Sequence, residues 1–103
     1  MADDDDARTR VVDNPERHRF ELLLDDAVVG FVLYRLLPGR IVFIHTEIQP
    51  EFEGRGLGSR LASAVLDTAR SRGLVVVPDC PFISAYIRDH PEYADLVQHD
   101  HAG

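Results

Sequence analysis

Lysine is absent from the sequence, and all 11 basic residues of the 103-residue chain are arginines. Catalysis through a lysine Schiff base and phosphate binding by the lysine of an ATPase loop are therefore excluded. Cysteine occurs once, at Cys80, so an internal disulfide cannot form. No basic start followed by an apolar stretch marks a secretion signal, and the expected location is cytoplasmic. No apolar run approaches the ~18 residues of a membrane-spanning helix, so no membrane role is expected.

Positive charge is also scarce, because 18 acidic residues face 11 basic ones and the net charge is −7. Such a surface repels phosphate backbones, so nucleic acid is not an expected partner. Residues 3–6 are all aspartates, and residues 1–9 are predicted to be a disordered acidic tail. Residues 10–98 are predicted to form a single domain, and residues 99–103 a flexible tail.

Short apolar segments separated by turn residues fill the first half of the sequence. They include Val11 and Val12, residues 18–24, residues 27–37 and residues 40–48, and they predict four β-strands. The third and fourth strands are apolar on both faces. Central strands that are covered on both sides are the simplest interpretation of this pattern.

A helical pattern follows the fourth strand, with Gly73 at the position just past the helix end. Its apolar stripe consists of Leu57, Leu61, Ala62, Val65, Leu66 and Ala69. Residues 74–77 then read as a short buried strand, and the strand–helix–strand order predicts one right-handed parallel crossover. A short C-terminal helix is predicted from Pro81 to before Pro91. The expected fold class is α/β (α+β), with a mixed sheet of about five strands that is antiparallel in its N-terminal part.

The strongest motif is a glycine-rich loop before the long helix, with Gly54, Gly56 and Gly58 at alternate positions. Glycines there let backbone N–H groups approach a phosphate at the positive end of a helix, so the loop predicts an anion site. Ser59 stands where a dinucleotide fingerprint has its last glycine, and no lysine follows, so both common nucleotide motifs fit poorly. A tight turn that binds nothing is the alternative.

His45 and Glu47 are candidate general bases near the end of the fourth strand. Because alternate residues of a strand share a face, both are predicted to point to the same side as Ile41 and Phe43. Partial burial there would suit an imidazole or a carboxylate for proton transfer. Alternatively, His45 is hydrogen-bonded inside the core and Glu47 simply reaches solvent.

Cys80 follows the parallel strand and precedes the short helix, whose N-terminus would favour a thiolate. His45 is the candidate base for a Cys80 nucleophile, because their strands should be neighbours. Against this, Asp79 disfavours a thiolate, and many free cysteines are merely small buried apolar residues. No metal site is predicted, since only His99 and His101 have a spacing that suits zinc ligands.

Two segments resemble a known family. Residues 41–61, IVFIHTEIQPEFEGRGLGSRL, resemble the acetyl-CoA signature of the GNAT acetyltransferases, Q/R-x-x-G-x-G/A at a strand-to-helix junction, with Glu53 at its first position. Residues 77–93, VPDCPFISAYIRDHPEY, are similar to the ending of small, truncated GNAT-like proteins. Such proteins consist of little more than the acetyl-CoA-binding half of the fold, and the resemblance extends over nearly the whole folded chain.

The resemblance implies that acetyl-CoA is the co-substrate, that no metal takes part, and that an unknown amine accepts the acetyl group. The implied cofactor-binding residues are Ile48, Gly54, Arg55, Gly56, Leu57, Gly58, Ser59 and Tyr86. The implied catalytic candidates are His45 or Glu47 as the base and Cys80 as a neighbour of the leaving thiolate or as a covalent acceptor. A CoA- or acyl-CoA-binding module without turnover is the alternative function, a small partner-binding domain is a third, and a monomer or weak dimer is expected.

Overall fold

The computed structural model describes residues 8–97, which form five strands, two α-helices and three short 3₁₀ helices. The strands are β1 (Thr9–Asn14), β2 (Arg19–Leu24), β3 (Ala27–Leu37), β4 (Arg40–Ile48) and β5 (Val75–Pro78). The α-helices are α1 (Leu57–Ser71) and α2 (Pro81–Asp89), and the 3₁₀ helices are Pro15–Arg17, Pro50–Phe52 and Pro91–Leu96. Both helices and β2 to β5 begin and end within about one residue of the sequence prediction.

The predicted N-terminal tail overlaps the first described residues. The N-terminal tail prediction covers residues 1–9, yet Arg8 pairs with Asp25, and Thr9 is the first residue of β1. The rest of that tail, residues 1–7, and the predicted C-terminal tail, residues 99–103, lie outside the described residues.

The strands form one mixed sheet in the order β1-β2-β3-β4-β5, which confirms the predicted fold class. Strands β1 to β4 are antiparallel neighbours. The turn between β2 and β3 contains Asp25 and Asp26 with positive φ angles of 51° and 73°, a conformation that aspartate tolerates in tight hairpins. Strand β5 pairs with β4 in parallel over residues 40–43 of β4, and α1 forms the crossover between these two strands.

The hydrophobic core lies between one face of the sheet and the two helices. Phe43 of β4, Leu22 of β2, Leu61 of α1 and Ile83 of α2 are fully buried and belong to the same cluster. Burial of each such side chain contributes about 1.5–3 kcal/mol. The apolar stripe of α1 is buried as predicted, and Gly73 turns the chain after the helix with a φ of 69°.

The opposite face of the sheet carries no helix within residues 8–97, so the predicted two-sided cover of the central strands is wrong. The apolar residues of this open face are partly covered by neighbouring side chains instead. The Arg19 guanidinium, for example, lies 4.7 Å from the centre of the Phe31 ring. Long polar side chains can cover apolar surface in this way while their charged ends remain in water.

Strand β4 contains a β-bulge at Ile44. The consecutive β3 residues Tyr34 and Leu33 lie opposite Phe43 and His45, so Ile44 is the extra residue in the register. One extra residue shifts the alternation of side chains for the remainder of the strand.

The C-terminal segment is fastened to α1. The Tyr93 hydroxyl donates a hydrogen bond to Asp67 Oδ1 at 2.8 Å, and the Arg70 guanidinium binds both carboxylate oxygens of Asp95 at 2.9 and 3.0 Å. Leu96, which is 8% exposed, extends the core at this end. The segment is therefore an integral part of the folded domain.

Candidate active site

A cleft of about 360 Å³ opens between the end of β4, the glycine-rich loop, the N-terminus of α1 and the start of α2. We call it the glycine-loop cleft. Six residues that the resemblance implies as cofactor-binding line it, namely Ile48, Gly54, Gly56, Leu57, Gly58 and Ser59. The structure therefore brings most of the implied cofactor residues together around one opening.

The loop backbone explains why glycines precede α1. Gly54 and Gly56 have φ angles of 83° and 76°, which lie in the left-handed region that residues with a side chain rarely adopt. Gly56 caps the helix without a side-chain hydrogen bond, and the first N–H groups of an α-helix have no partner within the helix. The helix N-terminus lines the cleft at Leu57, Gly58 and Ser59, so donors and a positive dipole end lie at its wall.

The charges beside the cleft are of both signs. Glu53, which stands where the family motif has Gln or Arg, lines the cleft. The guanidinium of Arg55 lies 5.2 Å from the centre of the Phe52 ring, and Phe52 is another lining residue. Arg55 lies two residues after Glu53 in the same loop, and its positive charge can offset the negative charge of Glu53.

Phe82 of α2 forms the wall opposite the glycines. A Cβ atom at Gly58 would lie only 2.9 Å from Phe82 Cζ, so the ring is packed directly against the glycine backbone. The ring is 41% exposed despite this contact. Sequence reasoning missed Phe82 and Phe52 as lining residues, because an aromatic residue next to a motif is more often part of the core.

Cys80 lies where β4 and β5 no longer pair. Its Sγ atom is 3.1 Å from the hydroxyl oxygen of Thr46, and the thiol is 2% exposed. Cys80 is also the N-cap residue of α2, with its carbonyl accepting from the N–H of Ser84. Thr46 was absent from the predicted site, although it faces the glycine-loop cleft beside Ile48.

The predicted orientation of His45 and Glu47 is wrong. The bulge at Ile44 turns both side chains away from the core face, where Thr46 takes the place that the alternation rule gave to His45. His45 Nε2 and Glu47 Oε1 are 3.2 Å apart, with 55% and 60% of the two side chains exposed. The pair is thus a polar unit on the open face of the sheet, and neither residue lines the glycine-loop cleft.

Tyr86 also lies outside the lining of the glycine-loop cleft. Its ring stacks on His90 at 3.8 Å between centroids, and Tyr93 lies 6.0 Å away. Burial raises the pKa of the Tyr86 hydroxyl, although a hydrogen bond with Ser63 acts in the opposite direction. Within the described residues, then, Tyr86 belongs to an aromatic cluster beside α1.

Comparison with known families identifies the fold that carries this cleft. A model of the GCN5-related N-acetyltransferase domain matches residues 19–96, which is most of the chain. The chain belongs to the GCN5-related N-acetyltransferase family. The acetyltransferase resemblance of the glycine loop and the C-terminal segment is thereby confirmed.

Two relatives are similar to the chain over most of their length. The protein NATD1 of Mus musculus is 32% identical over 96 residues, which cover 86% of this chain and 84% of the relative. NATD1 of Homo sapiens is also 32% identical over 96 residues, covering 86% and 82% of the two chains.

Two solved structures show the same fold at low sequence identity. A GCN5-like protein of Staphylococcus aureus has a TM-score of 0.65 and 22% identity, covering 93% of this chain and 97% of that one. A ribosomal-protein-alanine N-acetyltransferase of Brucella melitensis has a TM-score of 0.55 and 19% identity, covering 79% and 61%. Both comparisons show the shared fold of the domain.

Two further findings concern residues 8–97 alone. No cluster of three or more His, Cys, Asp or Glu side chains among them has the arrangement of a metal site. None of their helices is long and apolar enough to cross a membrane.

Proposed function

We propose that the protein is an acetyl-CoA-dependent N-acetyltransferase that transfers the acetyl group to an amine. The observation that carries this proposal is the glycine-loop cleft, which joins the N-terminus of α1 to the gap between β4 and β5. A site for the pyrophosphate at one end and a gap for the thioester at the other is what a transferase of this family needs.

The pyrophosphate of acetyl-CoA would lie on the N–H groups from Arg55 to Ser59. Three features support this placement: the first N–H groups of α1, which have no partner within the helix, the positive dipole end of α1, and close access to a glycine backbone. A Cβ atom added at Gly54 or at Gly56 would have no atom within 4 Å, so the loop is open to a ligand on that side.

The thioester would lie near Thr46 and Cys80, where β4 and β5 separate. Pairing of these strands ends at Phe43 opposite Pro78, and the next residue of β4, Ile44, is the bulge residue. A bulge interrupts the hydrogen-bond ladder between two strands, so the backbone N–H group of the extra residue is not used in that ladder. A strand N–H group at this point would polarise the thioester carbonyl as charge develops on its oxygen.

The amine would approach from the open face, where His45 and Glu47 supply the base. In direct transfer the amine nitrogen attacks the thioester carbon, and the C–N bond forms. The C–S bond then breaks, CoA leaves as the thiolate, and the amine proton passes to the base directly or through water. The 3.2 Å contact between His45 Nε2 and Glu47 Oε1 orients the pair for this role.

A covalent route through Cys80 makes a different prediction, and direct transfer is the route we propose. The thiol is only 2% exposed and is in contact with the Thr46 hydroxyl, so little of its surface is open to a thioester carbon. Incubation with acetyl-CoA and no amine should therefore leave Cys80 without an acetyl adduct in mass spectra. An adduct that amine discharges as fast as steady-state turnover would overturn direct transfer.

The alternative function is a CoA- or acyl-CoA-binding module without turnover. It draws its support from the position of His45 and Glu47, which are exposed and outside the cleft. Calorimetric titration with acetyl-CoA, followed by release of CoA thiol in the presence of an amine panel, separates the two functions. Binding with release supports the transferase, binding without release supports the module, and no binding contradicts both.

A further inference from the structure

A second cleft, of about 320 Å³, lies on the open face of the sheet at the end of β4. We call it the open-face cleft. Its walls come from β2, β3 and β4, and the residues that matter chemically are Arg19, Phe31, Glu47 and Gln49. Glu47 belongs both to this cleft and to the His45–Glu47 pair, so the cleft adjoins the proposed base.

The side chain of Arg19 is held in place on two sides. Its Nε atom donates a hydrogen bond to Glu21 Oε2 at 2.8 Å, and its guanidinium lies over the Phe31 ring at 4.7 Å. Glu21 is only 8% exposed and also accepts a hydrogen bond from the Asn14 side chain at 3.1 Å. Burial raises the pKa of Glu21, but these hydrogen bonds and the charges of Arg19 and Arg17 outweigh it, so the pKa lies below its usual value and the carboxylate stays charged.

This arrangement leaves the outer edge of the guanidinium available. Within residues 8–97 the hydrogen bond of Arg19 to Glu21 uses the Nε atom, and neither terminal nitrogen donates to a protein acceptor. Two parallel N–H groups on a fixed plane match the geometry of a carboxylate. An arginine preorganised in this way loses little side-chain entropy when it binds an anion.

Glu47 supplies the opposite charge in the same cleft. Arg19 pairs with Glu21 and Glu47 pairs with His45, so the two residues that carry opposite charge into the cleft are not joined to each other. The Phe31 ring lies between these two pairs, with Arg19 above it and the His45 ring 6.3 Å away. The cleft thus presents a cationic fork, an apolar ring and an anionic group in one small volume.

We propose that the open-face cleft is the acceptor site and that it takes amines which also carry a carboxylate, that is, amino acids. Arg19 would bind the carboxylate, Glu47 would receive the ammonium group and, with His45, its proton, and Phe31 would pack against the side chain. The transfer step rests on the function proposed above, whereas binding of the amino acid to the cleft does not.

Matched acceptors test the substrate class. L-Phenylalanine, L-phenylalaninamide and phenethylamine share the ring and the amine, but only the first carries a carboxylate. We expect kcat/KM for phenylalanine to exceed that for both analogues by about 10- to 100-fold, because charge-assisted hydrogen bonds are among the strong ones. An equal or lower value for phenylalanine would overturn the inference.

Two substitutions have different expected signatures. Arg19→Gln should reduce the preference for phenylalanine over phenethylamine by about tenfold or more, whereas Glu47→Gln should weaken both substrates alike and leave the preference in place. Arg35→Gln is the matched control, because Arg35 is an exposed arginine on the same face but outside the cleft. A preference that survives Arg19→Gln, or that falls equally in Arg35→Gln, would contradict the assignment.

A binding measurement keeps this test independent of turnover. With CoA present, titration of phenylalanine should shift the amide resonances of Gly30 and Gln49 in the wild-type protein, and phenethylamine should do so far more weakly. If those shifts occur while no acceptor is acetylated, the proposed transferase function fails and the amino-acid site stands. If phenylalanine shifts neither amide, or binds equally well to Arg19→Gln, the amino-acid site fails. Because Glu47 is exposed, Glu47→Gln provides a variant that folds even if Arg19→Gln does not.

Discussion

Substitution of Gly58 by alanine tests whether the wall of the glycine-loop cleft controls ligand binding separately from folding. The new Cβ atom would lie 2.9 Å from Phe82 Cζ, so the ring would have to recede by roughly 0.5 Å to reach an ordinary contact of 3.4 Å. Since Phe82 is 41% exposed, its ring can move outward at small cost. Alanine also favours the helix by about 0.5–1 kcal/mol over glycine, so the free energy of unfolding should change by less than about 1 kcal/mol.

The affinity for CoA should respond more strongly than stability does. The new methyl group and the displaced Phe82 ring change the shape of the cleft wall, and a misfit in a closely packed site costs about 1–3 kcal/mol, which corresponds to a loss of about 5- to 150-fold in affinity. Gly56→Ala is the contrasting variant, because its φ of 76° is strained for alanine but no atom lies within 4 Å of the new Cβ. It should destabilise the fold by ~1–2 kcal/mol.

The assay is calorimetric titration of CoA into the wild type, Gly58→Ala, Phe82→Ala and the double variant, with a thermal melt of each protein. If the ring transmits the effect, Gly58→Ala should weaken binding in the presence of Phe82 and change it less than about twofold in the Phe82→Ala background. The same loss of affinity in both backgrounds, or no loss in either, would refute the reasoning.

Three further predictions concern the stability of the domain. Tyr93→Phe removes the hydroxyl that donates to Asp67 at 2.8 Å and should lower the free energy of unfolding by about 1 kcal/mol in urea titrations, and an unchanged midpoint would contradict this. Burial and a hydrogen bond to a carboxylate raise the pKa of Tyr34 and Tyr93 to about 12. The stability that the two hydroxyls contribute is therefore complete below about pH 10 and is lost as the pH rises towards 12, and a free energy of unfolding that stays constant over that range would disprove this. Leu96→Ala should cost about 2–4 kcal/mol because the side chain is 8% exposed, whereas Leu36→Ala, at 52% exposed, should cost less than about 0.5 kcal/mol, and equal costs would argue against a structural role of the C-terminal segment.

The fold could be predicted from sequence because its signals are local and periodic. The stripe from Leu57 to Ala69 has helical spacing, and Gly73 marks the end of that helix. A strand directly before a helix and another directly after it in the sequence imply a parallel pair, and this is the pairing of β4 with β5. That one face of β3 and β4 is open could not be predicted in the same way, because half-buried apolar residues of an open sheet face, such as Phe31, give the same sequence pattern as buried ones.

The candidate site was predictable where it depends on backbone conformation. Gly54 and Gly56 occupy left-handed positions, and such positions leave a signature in the sequence. The orientation of His45 and Glu47 was not predictable, because the bulge at Ile44 follows from strand pairing with β3 and has no glycine or proline to mark it. One inserted residue is enough to reverse every assignment to a face that follows it.

The bulge also explains how so small a domain could hold two substrates. After Ile44, alternate residues of β4 face different clefts: Thr46 and Ile48 line the glycine-loop cleft, and Glu47 lines the open-face cleft. Cofactor and acceptor would then meet across the sheet at the point where β4 and β5 separate, so each ligand could use its own face. Because both sets of side chains belong to one strand, rigidity of β4 fixes the distance between the donor and acceptor sites without additional helices. In the proposed reaction, orientation of the two substrates is consequently a property of this strand, and proximity of the reacting groups is the main contribution that the fold makes to catalysis.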